Sequence, residues 1–281
     1  MLRIAVPNKG ALSQAADEML REAGYRQRRH AKELMVSDEP NGVQFFYLRP
    51  RDIATYVDSG DLDLGITGRD LLIDSGAAAS EVLDLEFARS TFRFAARPGR
   101  VRQREDLNGT RIATSFPGVV RHFLDQHGLH SDVVKLDGAV ENAVELGVAE
   151  IVADVVETGA TLRQAGLEVC DEVVMQSTAI VIQRRSASTT HASAHVVQRL
   201  RSVLVARKHV MIAYDVPVDS LEQAVALTPG IESPTVSQLH REGWVAVQAM
   251  ALRSSMHAVM DELHSVGARG ILATDIRACR I

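Results

Sequence analysis

Short β-rich runs alternate with helical patterns through the first two thirds of the chain, and this alternation constrains the fold more than any other feature. Strands are predicted at Leu2–Val6, Val43–Leu48 and Leu62–Thr67, with helices from about Ser13 and near Asp52–Val57. After a break at Pro98-Gly99, strands are predicted at Arg111–Thr114, Val133–Leu136 and Ile151–Val156, with helices from about Val119 and at Val140–Leu146. Strands joined by crossover helices are typical of parallel sheets. We therefore expect an α/β protein with two lobes.

The two predicted lobes carry a faint internal repeat. Asp63–Asp70 and Ala153–Ala160 both run from a buried strand into Thr-Gly at a helix start, which suggests two similar lobes facing a cleft. Val173–Gln183 is interpreted as a strand returning to the first lobe, followed by a helix from about His191 to Arg207 in that lobe. The expected boundaries are residues 1–90 with 184–210 for lobe I, and residues 91–183 for lobe II.

The pattern changes from Val210 onward. Its predicted elements are strand Val210–Val216, helix Leu221–Ala226, a short strand near Thr235, strand Trp244–Leu252, helix Ser255–Val266 and strand Gly270–Ile276. This βαββαβ order predicts a ferredoxin-like unit at residues 211–281. Such units are common ligand-binding regulators, although fold analogy alone does not establish regulation.

The charge balance and the cysteine count exclude several classes of protein. A net charge of −5, from 31 Lys and Arg against 36 Asp and Glu, argues against a nucleic-acid-binding surface, which needs excess positive charge. Cys170 and Cys279 form neither a CxxC motif nor a disulfide framework. Met1–Pro7 reads as a strand rather than a signal peptide, and no apolar run approaches the roughly 20 residues that span a bilayer. We expect a cytoplasmic protein that binds neither nucleic acid nor membrane.

A strand that ends in a glycine turn carries the clearest chemical signal. In Asp154–Leu162, the strand runs into Thr158, Gly159 and Thr161 where a helix is predicted to begin. Free N–H groups at a helix start bind phosphate without net basic charge, and glycine lets the backbone approach the ligand closely. For Thr-Gly-x-Thr alone, an ordinary strand–turn–helix with a threonine cap is the commoner interpretation.

A longer pattern around this turn resembles the signature of the ATP phosphoribosyltransferase family. The matching positions are Glu141, Gly147, Ala149, Val152, Asp154, Glu157–Gly159, Thr161 and Leu162. The resemblance extends to Val6–Gly10, Leu48–Ile53, Asp63–Leu71 and Thr228–Ser237, and so covers essentially the whole chain. The additional carboxyl-terminal unit resembles the long form of the family, which is regulated by histidine.

The resemblance implies a two-lobed arrangement of the periplasmic-binding-protein type II kind, followed by the ferredoxin-like regulatory domain. It implies transfer of the phosphoribosyl group of phosphoribosyl pyrophosphate to N1 of ATP, the first step of histidine biosynthesis, with Mg2+ held mainly through substrate. The partners implied are ATP, phosphoribosyl pyrophosphate, histidine as an inhibitor, and further copies of the chain in active dimers and inhibited hexamers.

The resemblance also assigns site residues. Those implied to be catalytic are Lys9, Arg49, Asp70 and Asp154; those implied to bind ATP are Lys9, Gly10, Arg49, Asp70 and Leu71. The phosphoribosyl pyrophosphate site is implied at Glu141, Asp154, Val155, Glu157, Thr158, Gly159, Ala160 and Thr161, and the histidine site at Asp215, Ile231, Thr235 and Ala273. Taken singly, the charged members of these sets are more often solvated or helix-capping residues.

The implied reaction explains why the sequence shows no Ser-His-Asp set and no cysteine nucleophile. Adenine N1 already carries a lone pair, so catalysis rests on placing the reactants in line and on stabilising the departing pyrophosphate. The proton that must leave is on the exocyclic nitrogen, and Asp70 is a hypothetical acceptor for it.

Two other classes of protein remain open from the sequence. The same two-lobed fold serves non-enzymatic solute-binding or sensor proteins, and a transcription regulator could use the last domain as its sensor, although no basic recognition helix is visible. His191 and His195 have the i, i+4 spacing of metal ligands but no acidic or cysteine partner follows them. The arginines at 93, 97, 100, 102 and 104 are interpreted as a solvated loop near the hinge.

Overall fold

The computed structural model describes residues 1–30, 32–156 and 159–280. The chain forms two compact units: Met1–Arg21 with Tyr25–Val197, and Glu22–Gly24 with the residues from Gln198 onward. This division falls inside the helix that was predicted to belong wholly to lobe I. Among the described residues, no helix combines the length and the apolar character needed to cross a bilayer.

The described residues of the larger unit form eleven strands. They are β1 (Leu2–Pro7), β2 (Met35–Asp38), β3 (Val43–Leu48), β4 (Leu64–Gly68), β5 (Ala79–Asp84), β6 (Ser90–Ala96), β7 (Arg111–Thr114), β8 (Asp132–Lys135), β9 (Ile151–Val156), β10 (Glu168–Ser177) and β11 (Ala179–Arg184). Its helices are α1 (Ala11–Glu22), α2 (Pro50–Asp58), α3 (Arg69–Ser75), α4 (Pro117–His127), α5 (Asn142–Glu145) and α6 (Ala160–Gln164), and α7 (His191–Lys208) follows.

A six-stranded sheet, in the order β2-β3-β1-β4-β11-β5, forms the first lobe. Its centre is parallel, as predicted, because β1 pairs in parallel with both β3 and β4. Helix α2 buries Ile53 and Val57, four residues apart, against this sheet. Gly65 in β4 allows the close approach, since a Cβ there would lie 2.6 Å from Cγ2 of Ile53.

A five-stranded sheet, in the order β10-β6-β9-β7-β8, forms the second lobe. β7 pairs in parallel with β8 and β9, whereas β6 runs antiparallel to β9 and β10. Fully buried Phe92 and Phe94 stand at the centre of its core, where the Phe94 ring meets Phe123 of α4 edge to face at 5.3 Å.

The chain crosses between the two sheets twice, at residues 85–89 and at Thr178. The single strand predicted at Val173–Gln183 is in fact two strands, because β10 belongs to the second sheet and β11 to the first. The expected lobe boundary after residue 183 therefore moves to Thr178. The sequence conceals this break, since residues 177–182 are all buried and read as one strand.

Hydrogen bonds tie the two crossings together. The N–H of Leu85 donates to the carbonyl of Ala179 and the N–H of Ala179 donates to the carbonyl of Phe87, both at 2.9 Å. The hydroxyl of Thr178 donates to the carbonyl of Phe87 at 3.0 Å. The lobes are thus joined by two adjacent, mutually bonded segments.

The carboxyl-terminal unit contains β12 (His209–Pro217), α8 (Leu221–Leu227), β13 (Thr235–Gln238), β14 (Trp244–Leu252), α9 (Met256–Ser265) and β15 (Arg269–Asp275). This strand–helix–strand–strand–helix–strand order is the one predicted. All pairings in its sheet are antiparallel, in the order β13-β14-β12-β15. Even-numbered residues of β12, from Val210 to Val216, are buried in the core that α8 and α9 also line. Its odd-numbered residues lie on the opposite, more accessible face.

Candidate functional site

A cavity of about 620 Å³ lies between the two lobes. The first lobe lines it with Lys9, Gly10, Arg49, Arg51, Asp70 and Leu71; the second contributes Phe116, Val155 and Ser177, and the first crossing contributes Arg89. All five residues predicted to bind ATP therefore lie in one cavity. Arg51, Phe116, Ser177 and Arg89 were not singled out from the sequence.

The topology of the first sheet explains why these residues meet. Lys9 and Gly10 follow β1, Arg49 follows β3, and Asp70 follows β4 by two residues. These three strands are adjacent and parallel, so their carboxyl ends share one edge of the sheet. Pro50 at the first position of α2 starts that helix immediately after Arg49.

Asp70 is held in place by the second lobe's last strand. The hydroxyl of Ser177 donates to Oδ1 of Asp70 at 2.8 Å and accepts the backbone N–H of Asp70 at 3.0 Å. A Cβ at Gly68 would overlap the Asp70 carboxylate, so a side chain at this position would displace that carboxylate. The Asp70 carboxylate consequently has a fixed orientation at the cavity wall.

On the side of the first lobe, the cavity is lined by the cations Lys9, Arg49 and Arg51 and by the carboxylates Asp52 and Asp70. Arg51 pairs with Asp74 at 3.1 Å, whereas no ion pair of the described chain involves Lys9 or Arg49. Guanidinium and ammonium groups that face a cavity without a carboxylate partner suit a ligand with several phosphates.

The acidic residues predicted for the second lobe, Asp154 and Glu141, influence each other electrostatically, although neither lines the cavity itself. Burial raises the pKa of Asp154, in β9, and the charge of Glu141 raises it further, while the N–H of Val155 and the charge of Arg51 oppose the shift. Oδ1 of Asp154 accepts that Val155 N–H at 2.8 Å. Glu141 lies immediately before α5 without capping it.

The predicted phosphate turn is only partly described. Glu157 and Thr158 lie outside the described residues; Gly159 is buried, and Ala160 and Thr161 are exposed at the start of α6. Gly159 has φ of 67°, in the left-handed region that favours glycine. Since α6 has only five residues, its dipole is small, and any anion there depends chiefly on individual N–H groups and hydroxyls.

The residues predicted to bind histidine are only partly on one surface. In the strand register, Asp215 and Thr235 lie on the accessible face of the sheet, with β14 between their strands. Ala273 pairs with Ile212 and therefore lies on the other face. Ile231 is exposed in the segment before β13. The strand register therefore does not bring the side chains of Asp215, Thr235 and Ala273 onto one face of the sheet.

The histidine pair His191 and His195 and the thiol of Cys170 do not form a metal site or a nucleophile site. Among the described residues, no group of three His, Cys, Asp or Glu side chains is arranged to hold a metal ion. The rings of His191 and His195 are stacked with centroids 6.3 Å apart. A second cavity, of about 460 Å³, is lined partly by Cys170, but burial raises the pKa of that thiol to about 11. The thiol is therefore protonated and poorly nucleophilic at neutral pH.

The run of arginines is less uniform than predicted. Arg93 lies in β6 and donates to the carbonyls of Cys170 and Asp171 at 3.2 and 3.0 Å. Arg104 donates to Glu172 from Nε at 2.9 Å, while Arg97, Arg100 and Arg102 are exposed. The interpretation as a solvated loop is wrong for Arg93 and Arg104, because partners on β10, about 70 residues later, are invisible in local sequence.

Comparisons with known proteins agree with this geometry. The family model described as ATP phosphoribosyltransferase matches residues 49–204, and that of the HisG C-terminal domain matches residues 206–278. Proteins named ATP phosphoribosyltransferase from Salinispora tropica and Streptomyces avermitilis are 61% and 60% identical, each over 100% of both chains. A solved structure, the ATP phosphoribosyl transferase (HisG:HisZ) complex from Thermotoga maritima, covers 72% of this chain and 97% of its own, with a TM-score of 0.60 and 26% identity.

The two named relatives align with this chain over its full length, and the two family models match consecutive parts of it, residues 49–204 and 206–278. The chain belongs to the ATP phosphoribosyltransferase family, and it is an enzyme of the glycosyltransferase type.

Proposed function

We propose that this protein transfers the phosphoribosyl group of phosphoribosyl pyrophosphate to N1 of ATP, giving phosphoribosyl-ATP and pyrophosphate. This is the first step of histidine biosynthesis. The observation that carries the proposal is the cavity between the lobes, where Lys9, Arg49 and Asp70 meet Val155, near the end of β9. Its cations suit the phosphates of the nucleotide and of the departing pyrophosphate.

The two sides of the cleft have different roles in this proposal. ATP contacts Lys9, Gly10, Arg49, Asp70 and Leu71 on the first lobe. The ribosyl donor contacts Glu141, Asp154 and Val155, and its 5′-phosphate occupies the turn at Glu157–Thr161. Catalysis consists of holding adenine N1 in line with the anomeric carbon while the cations stabilise the pyrophosphate that leaves.

Magnesium fits the second-lobe acids. The charge of Glu141 raises the pKa of Asp154, and carboxylate oxygens are suitable ligands for a hard divalent cation. We propose that these two acids receive Mg2+ already bound to the ribosyl donor. When bound, Mg2+ neutralises pyrophosphate charge. Lys9 and Arg49 supply the protein's own share of that neutralisation.

The carboxyl-terminal unit is proposed to be a ferredoxin-like regulatory domain that binds histidine. Asp215 offers a carboxylate for the histidine ammonium, and Thr235 offers a hydroxyl on the same face of the sheet. Because Ala273 lies on the opposite face, the proposed pocket forms between copies of the chain. Histidine then inhibits by binding unequally to the active dimers and the inhibited hexamers.

The test is to incubate the full chain with ATP, phosphoribosyl pyrophosphate and Mg2+, with and without pyrophosphatase. A product with the summed mass of the two substrates less pyrophosphate is expected, and pyrophosphatase should increase its yield. The Arg49→Ala variant is the matched negative control, because it removes a cavity cation from an exposed position. No such product in the presence of pyrophosphatase would exclude the proposed reaction.

A further inference from the structure

Arg51 contacts both lobes, although it belongs to the first turn of α2 in the first lobe. Its Nη1 atom lies 3.1 Å from Oδ2 of Asp74 in α3, and it donates to the carbonyl of Ser115 in the second lobe at 3.1 Å. Its guanidinium carbon lies 4.5 Å from the centroid of the Phe116 ring, within the range of a cation–π contact. One side chain therefore joins α2, α3 and the segment that precedes α4.

Asp74 completes the connection from the first lobe. While Oδ2 receives Arg51, Oδ1 accepts the backbone N–H of Gly118, in the first turn of α4, at 2.8 Å. The Asp74 side chain is only 12% exposed, whereas that of Arg51 is 49% exposed. The two carboxylate oxygens thus bind different partners, one in each lobe, and the carboxylate is well shielded from water.

The backbones of α3 and α4 fit closely at this contact. A Cβ at Gly118 would lie 2.7 Å from the Cα of Asp74, so no side chain could be accommodated there. Phe116 meets Phe92, a buried residue of the second lobe's core, edge to face with centroids 5.5 Å apart. The contact is therefore connected to the core of the second lobe and is not confined to surface side chains.

The contact also borders the proposed substrate site, because Arg51 and Phe116 both line the cavity. Arg51 differs from Lys9 and Arg49, the other cations considered above, since its guanidinium already binds Asp74 and the Ser115 carbonyl. Its position suits holding the lobes rather than binding a phosphate. When two substrates are held by different lobes, their correct relative placement contributes to the rate.

We propose that Arg51 and Asp74 are positioning residues that together set the spacing of the two lobes across the cleft. The first-lobe cations and the second-lobe ribosyl site are thereby kept at the separation that the transfer requires. This inference rests on the proposed function, in which the two substrates occupy opposite sides of that cleft. In this proposal both residues act through the spacing of the lobes and not through contact with the reacting atoms.

The experiment uses the full chain and the variants Arg51→Met, Asp74→Ala and the double variant. Without substrates, hydrogen exchange of the segment around Gly118 should become faster in all three. With substrates, the KM for both ATP and phosphoribosyl pyrophosphate should rise, each by about fivefold, with a smaller change in kcat, because less of the protein has the competent spacing. The effect of the double variant should be smaller than the product of the two single effects, since both changes remove the Arg51–Asp74 pair and each also removes one contact of its own, with Ser115 or with Gly118.

Two further variants separate this role from simple loss of stability. Asp74→Asn retains an acceptor for Gly118 but loses the charge, so it should have an intermediate KM. Arg104→Met removes a matched arginine that pairs with Glu172 and lies 5.9 Å above the Phe123 ring, entirely within the second lobe. It should lower the melting temperature and leave both KM values unchanged.

Specific results would overturn the proposal. If the effects of Arg51→Met and Asp74→Ala multiply in the double variant, Arg51 acts on substrate independently of Asp74. If exchange near Gly118 is unchanged in both single variants, the contact does not hold the lobes. An inactive wild-type chain would instead refute the proposed function, and the exchange measurement, which needs no substrate, would still decide the role of the contact.

Discussion

Ser177, the last residue of β10, binds Asp70, in the first turn of α3, through both its donor and its acceptor. Its hydroxyl donates to the Asp70 carboxylate at 2.8 Å and accepts the Asp70 N–H at 3.0 Å, across a sequence separation of 107 residues. The last strand of the second lobe, β10, therefore orients the carboxylate of Asp70 in the first lobe. A carboxylate oriented in advance loses little freedom when it meets a substrate.

Replacing Ser177 tests this relationship. In Ser177→Ala the carboxylate loses a hydrogen bond to a charged group, and we expect kcat/KM for ATP to fall by roughly tenfold. Ser75→Ala is the control, because that hydroxyl bonds only to the backbone of its own helix and the turn after it. Steady-state kinetics with saturating ribosyl donor would measure this difference. Equal kcat/KM values for the two variants would show that the orientation of Asp70 by Ser177 does not contribute to catalysis.

We expect Asp154 to lower the stability of the folded chain at pH 7 while it supports turnover. Burial raises its pKa above the ordinary value of 3.8, so the folded chain retains the proton to a higher pH than the unfolded chain. Stability consequently falls as pH rises from 3.8 through the folded-state pKa. Asp154→Asn, which cannot ionise, should therefore melt at a higher temperature than wild type at pH 7, and the difference should disappear below pH 3.8.

The same variant should lose turnover by at least roughly tenfold, because Asn removes a charge from the proposed ribosyl side. ATP binding should change little. Melting curves from pH 3 to 8, with kinetics at pH 7, test both statements. Asp132→Asn, at the exposed start of β8, is the control. A variant that is less stable than wild type at pH 7 would contradict the burial argument.

Gly159 should be necessary for binding the ribosyl donor. Its φ of 67° costs about 1–2 kcal/mol for a residue with a Cβ. The added Cβ would also lie 3.1 Å from Nη1 of Arg163 and 3.2 Å from Cγ2 of Val169. We expect Gly159→Val to weaken donor binding by more than roughly tenfold in calorimetry, with ATP binding affected less.

Gly128 provides a control that distinguishes the effect of backbone strain from the effect of blocking the donor's access to the turn. Gly128 has nearly the same φ, 65°, at the end of α4, but a Cβ there would meet nothing within 4 Å. Gly128→Val should reduce the melting temperature without changing donor affinity. If both variants bind the donor as the wild type does, the turn is not part of the phosphate site.

Substitutions in the proposed histidine site should change inhibition by histidine without changing the rate of catalysis in its absence. Asp215→Ala and Thr235→Ala should raise the histidine concentration for half inhibition by roughly tenfold or more, because each removes a polar group from a specific pocket. Turnover without histidine should remain near the wild-type value. Asp219→Ala, in the short helical turn after β12, is the matched acidic control. Competition between histidine and ATP, or full sensitivity in both variants, would refute a separate regulatory site.

Local pattern was sufficient to predict most of the fold. The parallel strands around β1 and β7 and the order of elements after Val210 were predicted because buried alternation and turns are local signals. Strand β2 was missed because one of its two buried residues is the charged Asp38, whose carboxylate accepts the N–H of Arg26. Strand β6 was missed because Arg93 places a charge within it, and that charge is satisfied by carbonyls of β10.

The candidate site was harder to predict from the sequence than the fold was. Lys9, Arg49 and Asp70 follow three parallel strands, so their proximity could be expected. Arg51, Phe116 and Ser177 border the same cavity, but each depends on a partner in the other lobe. No local pattern contains such a pairing. A family resemblance assigns roles to matching positions and does not identify contacts that differ between members.

The insertion of β11 between β4 and β5 also affects how the chain must assemble during synthesis. Asp84, the end of β5, precedes Thr178 by 94 residues, and all of the second lobe lies between them. At about 5–20 residues per second, the ribosome needs roughly 5–20 s to supply the strand that completes the first sheet. Until then the facing edges of β4 and β5 have no partner between them. Of the two lobes, the first is therefore the earlier to be synthesised and the later to have its sheet completed. A nascent chain truncated before residue 179 should expose these strand edges and aggregate.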